Sequence, residues 1–305
     1  MNVYELVTQR ILDQMAQGVI PWQKPWTGVR PGAYNRISKK PYSLLNQLLL
    51  SKEGEYATFR QWKALGGNIR KGAKSEAVVF WKLLDRKAAA DDRDDGTKKI
   101  PVLRYYRVFH VSDVDGVEPL PQENLHNTHP LQRAEQVFRA YVQREGIQTE
   151  QALSNHAFYS PRTDCIHLPD IRQFAGPADY YSVAFHESAH STGHPSRLGR
   201  FSLDNALPPF GSGDYSKEEL TAELGSAAVM NLLGLETSGT LRNSAAYIAS
   251  WTKALQDDTR FIVSASSKAD KAVRCILGER SGMTGPAFFH HGQEERKTAH
   301  QGTAS

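Results

Sequence analysis

His186, Glu187 and His190 stand in the order His-Glu-x-x-His. On a helix, positions i and i+4 lie one above the other on the same face, so two imidazoles at that spacing can grip one metal ion. The glutamate beside the first histidine reaches a water on that ion. This is the signature of zinc-dependent metallopeptidases, and its ordinary alternative is a buried helix with two satisfied histidines. Residues 178–192 read as the helix this chemistry requires. Tyr181, Ala184, Phe185 and Ala189 supply apolar surface at helical spacing. Asp179 fits a first turn after Gly176-Pro177, and Gly193 supplies a stop.

A catalytic zinc takes three protein ligands and keeps one position for water. The third ligand is expected from the segment that starts at Ser216. Ser216 and Glu219 have the spacing of a capping box, which predicts a helix start there. Glu219 and Glu223 then share one face, flanked by Leu220, Leu224 and Ala227 in a helix that otherwise buries itself. A metal resolves that conflict. Glu219 is the expected third ligand and Glu223 the partner that orients a ligating histidine, with the reverse assignment left open. The segment resembles the acidic second helix of gluzincin peptidases. His194 is a rival ligand, but it follows His186 by fewer residues than the third histidine of metzincins does. Zinc is the expected ion, and manganese or cobalt would accept the same donors. Glu187 would be the general base towards the attacking water and then the acid towards the leaving amine. Tyr215 is a candidate oxyanion donor. Residues 157–169 read as a hairpin, either purely structural or an edge that holds an extended substrate.

These residues need a scaffold, and 305 residues suffice for two ordinary domains. No run of eighteen apolar residues exists, so no membrane span is expected. Residues 1–18 form an amphipathic pattern broken by Glu5 and Asp13, unlike the apolar core of a signal peptide. Cys165 and Cys275 have neither metal-ligand nor disulfide spacing and fit reduced packing residues of a cytoplasmic protein. The net charge of +4 hides an asymmetry. Residues 1–115 carry 20 Lys plus Arg against 12 Asp plus Glu, whereas residues 116–305 carry 17 against 21. A basic half joined to a mildly acidic half points to separate duties, and basic surface is the footprint of polyanion binding.

Aromatics interleave with those charges. Helices are expected over residues 4–17 and 44–52 and from Thr58 onward, with strands over 75–84 and 102–111. Single-stranded nucleic acid offers bases to aromatic rings and phosphates to Lys and Arg. The candidate contacts are Trp22, Lys24, Trp26, Arg36, Lys39, Lys40, Tyr42, Arg60, Trp62, Arg70, Lys71 and Lys74. Trp81, in an apolar strand, is expected in the core. The basic loop at 66–74 lacks the spacing of a P-loop.

The motifs IPWQKPW, YSLLNQLLL, TFRQWKALGGNIRKGAKSEAVVFWK, AFYSPRTDCIHLP, HESAHSTGHPSRLGR and YSKEELTAELGSAAV run in that order over residues 1–280. In this the chain resembles ArdC-type antirestriction proteins. The resemblance implies an α+β architecture of two domains: an N-terminal α+β domain that binds single-stranded DNA, and a mainly helical zincin-like metallopeptidase domain with a small β-sheet. The expected boundaries are residues 1–115 and 129–280, a linker over 116–128 and a loosely ordered tail over 281–305. The charged insert at 88–99 is expected to be a loop. The resemblance further implies carriage on conjugative plasmids and protection of incoming DNA from restriction in the recipient bacterium. Two other readings stand beside it. One is a peptidase recruited to DNA to cleave a protein such as a restriction enzyme or repressor. The other is a DNA shield whose metal is structural or vestigial.

Overall fold

The computed structural model describes residues 2–17, 21, 32–86, 98–121, 130–201, 213–235 and 245–279. Trp22, Lys24, Trp26, most of the charged insert, the end of the expected linker and the tail lie outside the described residues.

The basic half is α1 (Val3–Ala16), β1 (Ala33–Asn35), α2 (Leu44–Leu49), β2 (Gly54–Thr58), α3 (Phe59–Ala64), β3 (Asn68–Ile69), β4 (Glu76–Arg86), β5 (Lys98–His110) and β6 (Val114–Asp115). Asn2 and Glu5 close a reciprocal capping box on α1, and Thr58 and Gln61 do the same for α3. The main sheet runs β1-β2-β5-β4. Its long β4–β5 hairpin pairs Val78 with Tyr106 and Phe80 with Arg104. Asn46 of α2 binds the outer edge of β4 as a further strand would. Its Nδ2 donates to the Val79 carbonyl at 2.9 Å, and its Oδ1 accepts from the Val79 amide at 2.7 Å.

The second half is α4 (Pro130–Glu145), β7 (Gln148–Ala152), β8 (Phe158–Ser160), β9 (Cys165–Pro169), α5 (Pro177–Ser191), α6 (Gly213–Leu233), α7 (Ala245–Asp257) and α8 (Phe261–Leu277). β9 lies between β7, which is parallel to it, and β8, which is antiparallel. The expected hairpin at 157–169 is therefore present. This sheet packs through Tyr159, Ile166 and Leu168 onto α4 and α5. Among the described residues no helix is long and apolar enough to cross a membrane. Both cysteines are free thiols.

The two halves are fused by a common core. Val7 and Ile11 of α1, Leu45, Leu48 and Leu49 of α2, Val79 of β4 and Leu103 of β5 pack with Leu220 and Leu224 of α6, Trp251 and Leu255 of α7, and Phe261 and Ile262 of α8. The mixed α+β class and the two-part layout expected from the sequence are found, but one hydrophobic cluster crosses the boundary expected near residue 115.

Two expectations need correction here. Trp62 is 0% exposed, and its indole Nε1 donates to the Phe109 carbonyl at 2.9 Å. It anchors α3 to β5 in a small cluster with Ala57 and Val114 and offers no face to a base. Trp81 is 54% exposed rather than buried, because the shared core covers β4 at Val79 and does not extend to position 81.

Candidate metal centre and nucleic-acid face

Helix α5 begins with Pro177, whose missing N–H costs nothing in a first turn, and carries Asp179 there. From Tyr180 onward it is buried except at Val183, with Tyr181 and Phe185 in the core. It crosses α6 closely. A Cβ added at Gly225 would lie 3.2 Å from the Cβ of Ala189, and Ser226 Oγ donates to the Ser182 carbonyl at 2.7 Å. This approach brings the imidazoles of α5 against the carboxylates of α6.

His186 Nε2 and His190 Nε2 are 3.1 Å apart. Glu219 faces both, with Oε2 3.7 Å from His186 Nε2 and Oε1 3.3 Å from His190 Nε2. Each of the three residues offers a ligand atom, and these atoms lie within 4.8 Å of one another. All are buried. The Nδ1 atoms face other acids: Glu223 Oε2 is 3.4 Å from His186 Nδ1, and Glu218 Oε1 is 3.4 Å from His190 Nδ1. Both Nδ1 atoms are buried without an aligned hydrogen bond, each with a carboxylate oxygen a short distance away. Glu187 is buried on the same turn of α5.

The donors fit a divalent cation. Two Nε2 atoms turned towards one another beside a carboxylate form the open triangle a three-residue metal site needs, and each ring's remaining nitrogen faces an acid of the kind that orients metal-bound histidines. Burial pulls His190 down, but Glu218, Glu219 and Glu187 outweigh it and hold the imidazole up at about 9. Burial raises Glu219, and the two histidines overcome it and hold the carboxyl well below its usual range.

Glu218 escaped the sequence reading. Arg200 grips it with two hydrogen bonds, Nε to Oε2 at 3.1 Å and Nη2 to Oε1 at 2.7 Å. The same guanidinium caps α5 through the Ala189 carbonyl and Thr192 Oγ1, each at 2.8 Å. Arg200 reaches back because the chain turns tightly at Gly193, where a Cβ would stand 2.4 Å from the Phe201 ring. The adjacent acids Glu218-Glu219 were the only available signal, and a partner eighteen residues away gave no pattern to read.

Two placements differ from expectation, those of Ser216 and Tyr215, while the lower-ranked rival ligand His194 stays out of the cluster as expected. Ser216 is inside α6, which already includes Gly213, so Ser216 and Glu219 form no terminal capping box. The Glu219 carboxylate turns to the imidazoles instead. Tyr215 is also within α6, and its side chain lies outside the described residues. His194 stands apart from the cluster; its Nδ1 accepts from the Ser196 amide at 3.2 Å and lies 2.7 Å from the Ser196 hydroxyl.

In the basic half, an open cleft of about 410 Å³ lies on the β4–β5 hairpin, lined by Tyr42, Phe80, Trp81, Lys82 and Tyr106 among others. Phe80 stands between Tyr42 and Tyr106, at ring-centroid distances of 6.2 and 6.0 Å. Phe80 and Tyr106 are about half exposed. Arg104, the register partner of Phe80, is exposed beside them. Tyr42 is itself mostly buried, so it forms the cleft's wall rather than a free platform. Of the basic candidates, Lys39, Lys40, Arg60, Lys71 and Lys74 are exposed. Arg36 pairs with Glu55 in a largely buried contact that neutralises it locally, whereas Arg70 pairs with Asp115 at 2.7 Å at the surface and stays exposed. The sequence reading missed Phe80, Tyr105 and Tyr106; the alternating Arg-Tyr-Tyr-Arg of β5 was the signal.

Paired helices with His-Glu-x-x-His on one and acids on the other define a zincin-like domain, and residues 133–268 match the zincin-like metallopeptidase family MPTase-PolyVal. Residues 1–109 match the N-terminal domain of anti-restriction factor ArdC. The crystal structure of antirestriction ArdC protein from the R388 plasmid superposes with a TM-score of 0.72 and 31% identity in its metal-free form, covering 92% of this chain and 98% of that one. Its Mn(II)-bound form gives the same score, covering 93% and 100%. This chain belongs to the ArdC family of antirestriction proteins. It is also 33% identical to the uncharacterized protein y4eC of Sinorhizobium fredii, over 92% of this chain and 93% of that protein. Two DNA primases TraC of Escherichia coli are each 34% identical over 90% of the chain, which spans only 27% and 20% of their lengths.

Proposed function

We propose that this protein binds single-stranded DNA through its β4–β5 face and carries a divalent-metal peptidase site between α5 and α6, and that together these protect plasmid DNA entering a restricting cell. The observation that carries the enzymatic part is the convergence of His186, His190 and Glu219 within 4.8 Å, with Glu187 beside them. The manganese in the R388 relative supports a divalent ion at these residues, with zinc the expected occupant from the donor set. The plasmid origin of the R388 antirestriction relative supports a role on plasmid DNA, and the bacterial cytoplasm is where the protein would meet it.

His186, His190 and Glu219 would hold the ion, with Glu223 and Glu218 orienting the two rings. When bound, the ion supplies a Lewis acid that polarises a carbonyl and acidifies a water. Glu187 takes the proton of the attacking water as its oxygen bonds to the carbonyl carbon, then gives that proton to the amine nitrogen as the C–N bond breaks. Burial of α5 keeps Glu187 and both rings in fixed positions during these transfers. On the other face, Phe80 and Tyr106 would stack on bases while Lys82 and Arg104 meet phosphates.

The test is Glu187→Gln in the full chain, which removes the base while leaving the expected ligands. The variant should keep its metal and its affinity for single-stranded oligonucleotides. It should lose protection of a conjugating plasmid in a restricting recipient and show no defect in a non-restricting one. Full protection by this variant would remove proteolysis from the function and leave a DNA shield.

A further inference from the structure

Away from α5 and α6, the small sheet gathers three more metal-ligating side chains. Cys165 and His167 are alternate residues of β9, so they share one face. Ile166 and Leu168 occupy the other face, in the core beside Tyr181 and Phe185 of α5. The cysteine–histidine face is therefore turned away from the centre described above. Glu150 of β7 is the register partner of His167, and its Oε2 is 3.1 Å from His167 Nδ1. The ligand atoms of Glu150, Cys165 and His167 lie within 4.8 Å of one another. Phe158 of β8 lies across from His167 on the other side and stacks on its ring, with centroids 4.3 Å apart and planes 18° from parallel.

We propose that Glu150, Cys165 and His167 form a second divalent-cation site, suited to a zinc-like ion, that clamps β7 to β9. Thiolate, imidazole and carboxylate together select a borderline ion over magnesium or calcium, and water completes a tetrahedron. The backbone register supplies the spacing, and the stacked Phe158 holds the imidazole plane. On binding, the Cys165 thiol loses its proton to solvent and the sulfur lone pair forms the metal bond. Burial, then the negative charges of Glu150 and Asp164, push that thiol up, partly offset by the Glu150 amide. A dication among these groups reverses that pressure, since it favours the thiolate and neutralises the carboxylates. The site is independent of the peptidase reading, because its donors and its face of the sheet are different.

The experiment is a titration of chelator-stripped, reduced, full-length protein with Co2+, read by absorption. A sulfur ligand gives a near-ultraviolet thiolate-to-cobalt charge-transfer band, to which the sulfur-free centre on α5 and α6 contributes nothing. The expected result is a band whose final intensity corresponds to one sulfur-bound cobalt per chain and which is complete by two added cobalt ions per chain, once both centres are filled. It vanishes in Cys165→Ser and survives in Cys275→Ser. In His167→Ala it requires on the order of tenfold or more cobalt, as loss of a metal-site partner does. A folded wild-type protein that shows no such band at saturating cobalt overturns the proposal, as does a band that follows Cys275. Neither result touches the peptidase reading, which fails only if the Glu187→Gln variant still protects.

Discussion

Glu218 Oε1 stands 3.4 Å from Nδ1 of His190, and the same oxygen accepts from Nη2 of Arg200 at 2.7 Å. The acid next to the expected ligand thus holds the second histidine from behind, while Glu223 stands behind the first. Their effects on metal affinity should rank accordingly. Glu219→Gln should nearly abolish binding. Glu218→Gln and Glu223→Gln should each weaken it about 10- to 100-fold, the usual cost of losing an orienting partner. Competition against a chromophoric chelator measures all three. A larger loss from Glu223→Gln than from Glu219→Gln would exchange the two roles.

The acids around His190 also set a pH dependence. Its imidazole is held up at about 9 in the folded chain, against an ordinary value of 6.5. A raised pKa means that folding favours the protonated ring. That contribution is complete below about 6.5 and disappears as pH rises through about 9. Metal-free protein should therefore melt at progressively lower temperature across this window. The Glu218→Gln variant should melt with a flatter profile. Metal affinity should move the opposite way, increasing with pH because the ion must displace that proton. Thermal melts of chelator-treated protein from pH 6 to 9.5 test the first part; a melting temperature that climbs with pH would contradict it.

How much of this could be read from residues alone depended on range. His186, Glu187 and His190 lie within one helical turn, so spacing revealed them, and Glu219 with Glu223 showed the same periodicity. Glu218 was hidden because its partner Arg200 comes from a loop before α6. Local patterns also failed for tryptophans. Trp62 and Trp81 both sit in basic, aromatic stretches, yet a contact with Phe109, forty-seven residues on, buries one. The other stays exposed because cover over β4 comes from α1 and α2 and stops at Val79. The composition break near residue 115 marked a change in surface charge, which carries no information about a core built from Val7, Val79, Leu224 and Ile262 together.

That common core predicts joint unfolding. Leu224 of α6 is fully buried in that core, in which α6 packs on α7 and α8 and these in turn on α1 and α2. Leu224→Ala should cost about 2–5 kcal/mol, the range for a leucine deleted from a well-packed interior. It should lower a single transition seen both by tryptophan fluorescence, to which Trp62 in the basic half contributes, and by loss of bound metal in the other half. Two separate transitions, with only the metal-linked one shifted, would show that the halves fold independently.

The aromatic cleft separates platforms from anchors. Phe80→Ala and Tyr106→Ala remove exposed rings and should weaken single-stranded oligonucleotide binding by about 1–3 kcal/mol each, the range for a lost base–aromatic stack. Both should leave the melting temperature nearly unchanged. Trp62→Ala should do the reverse, costing about 3–5 kcal/mol of stability through its buried cavity and the lost bond to Phe109. Its effect on DNA binding at a temperature where the variant is folded should be small. Lys82→Ala, in contrast, should weaken binding more at low salt than at high and reduce the salt slope by about one charge. Fluorescence anisotropy at several salt concentrations, paired with melting curves, tests all four variants. Binding that survives both ring deletions but collapses in Trp62→Ala would place the DNA surface elsewhere on the basic half.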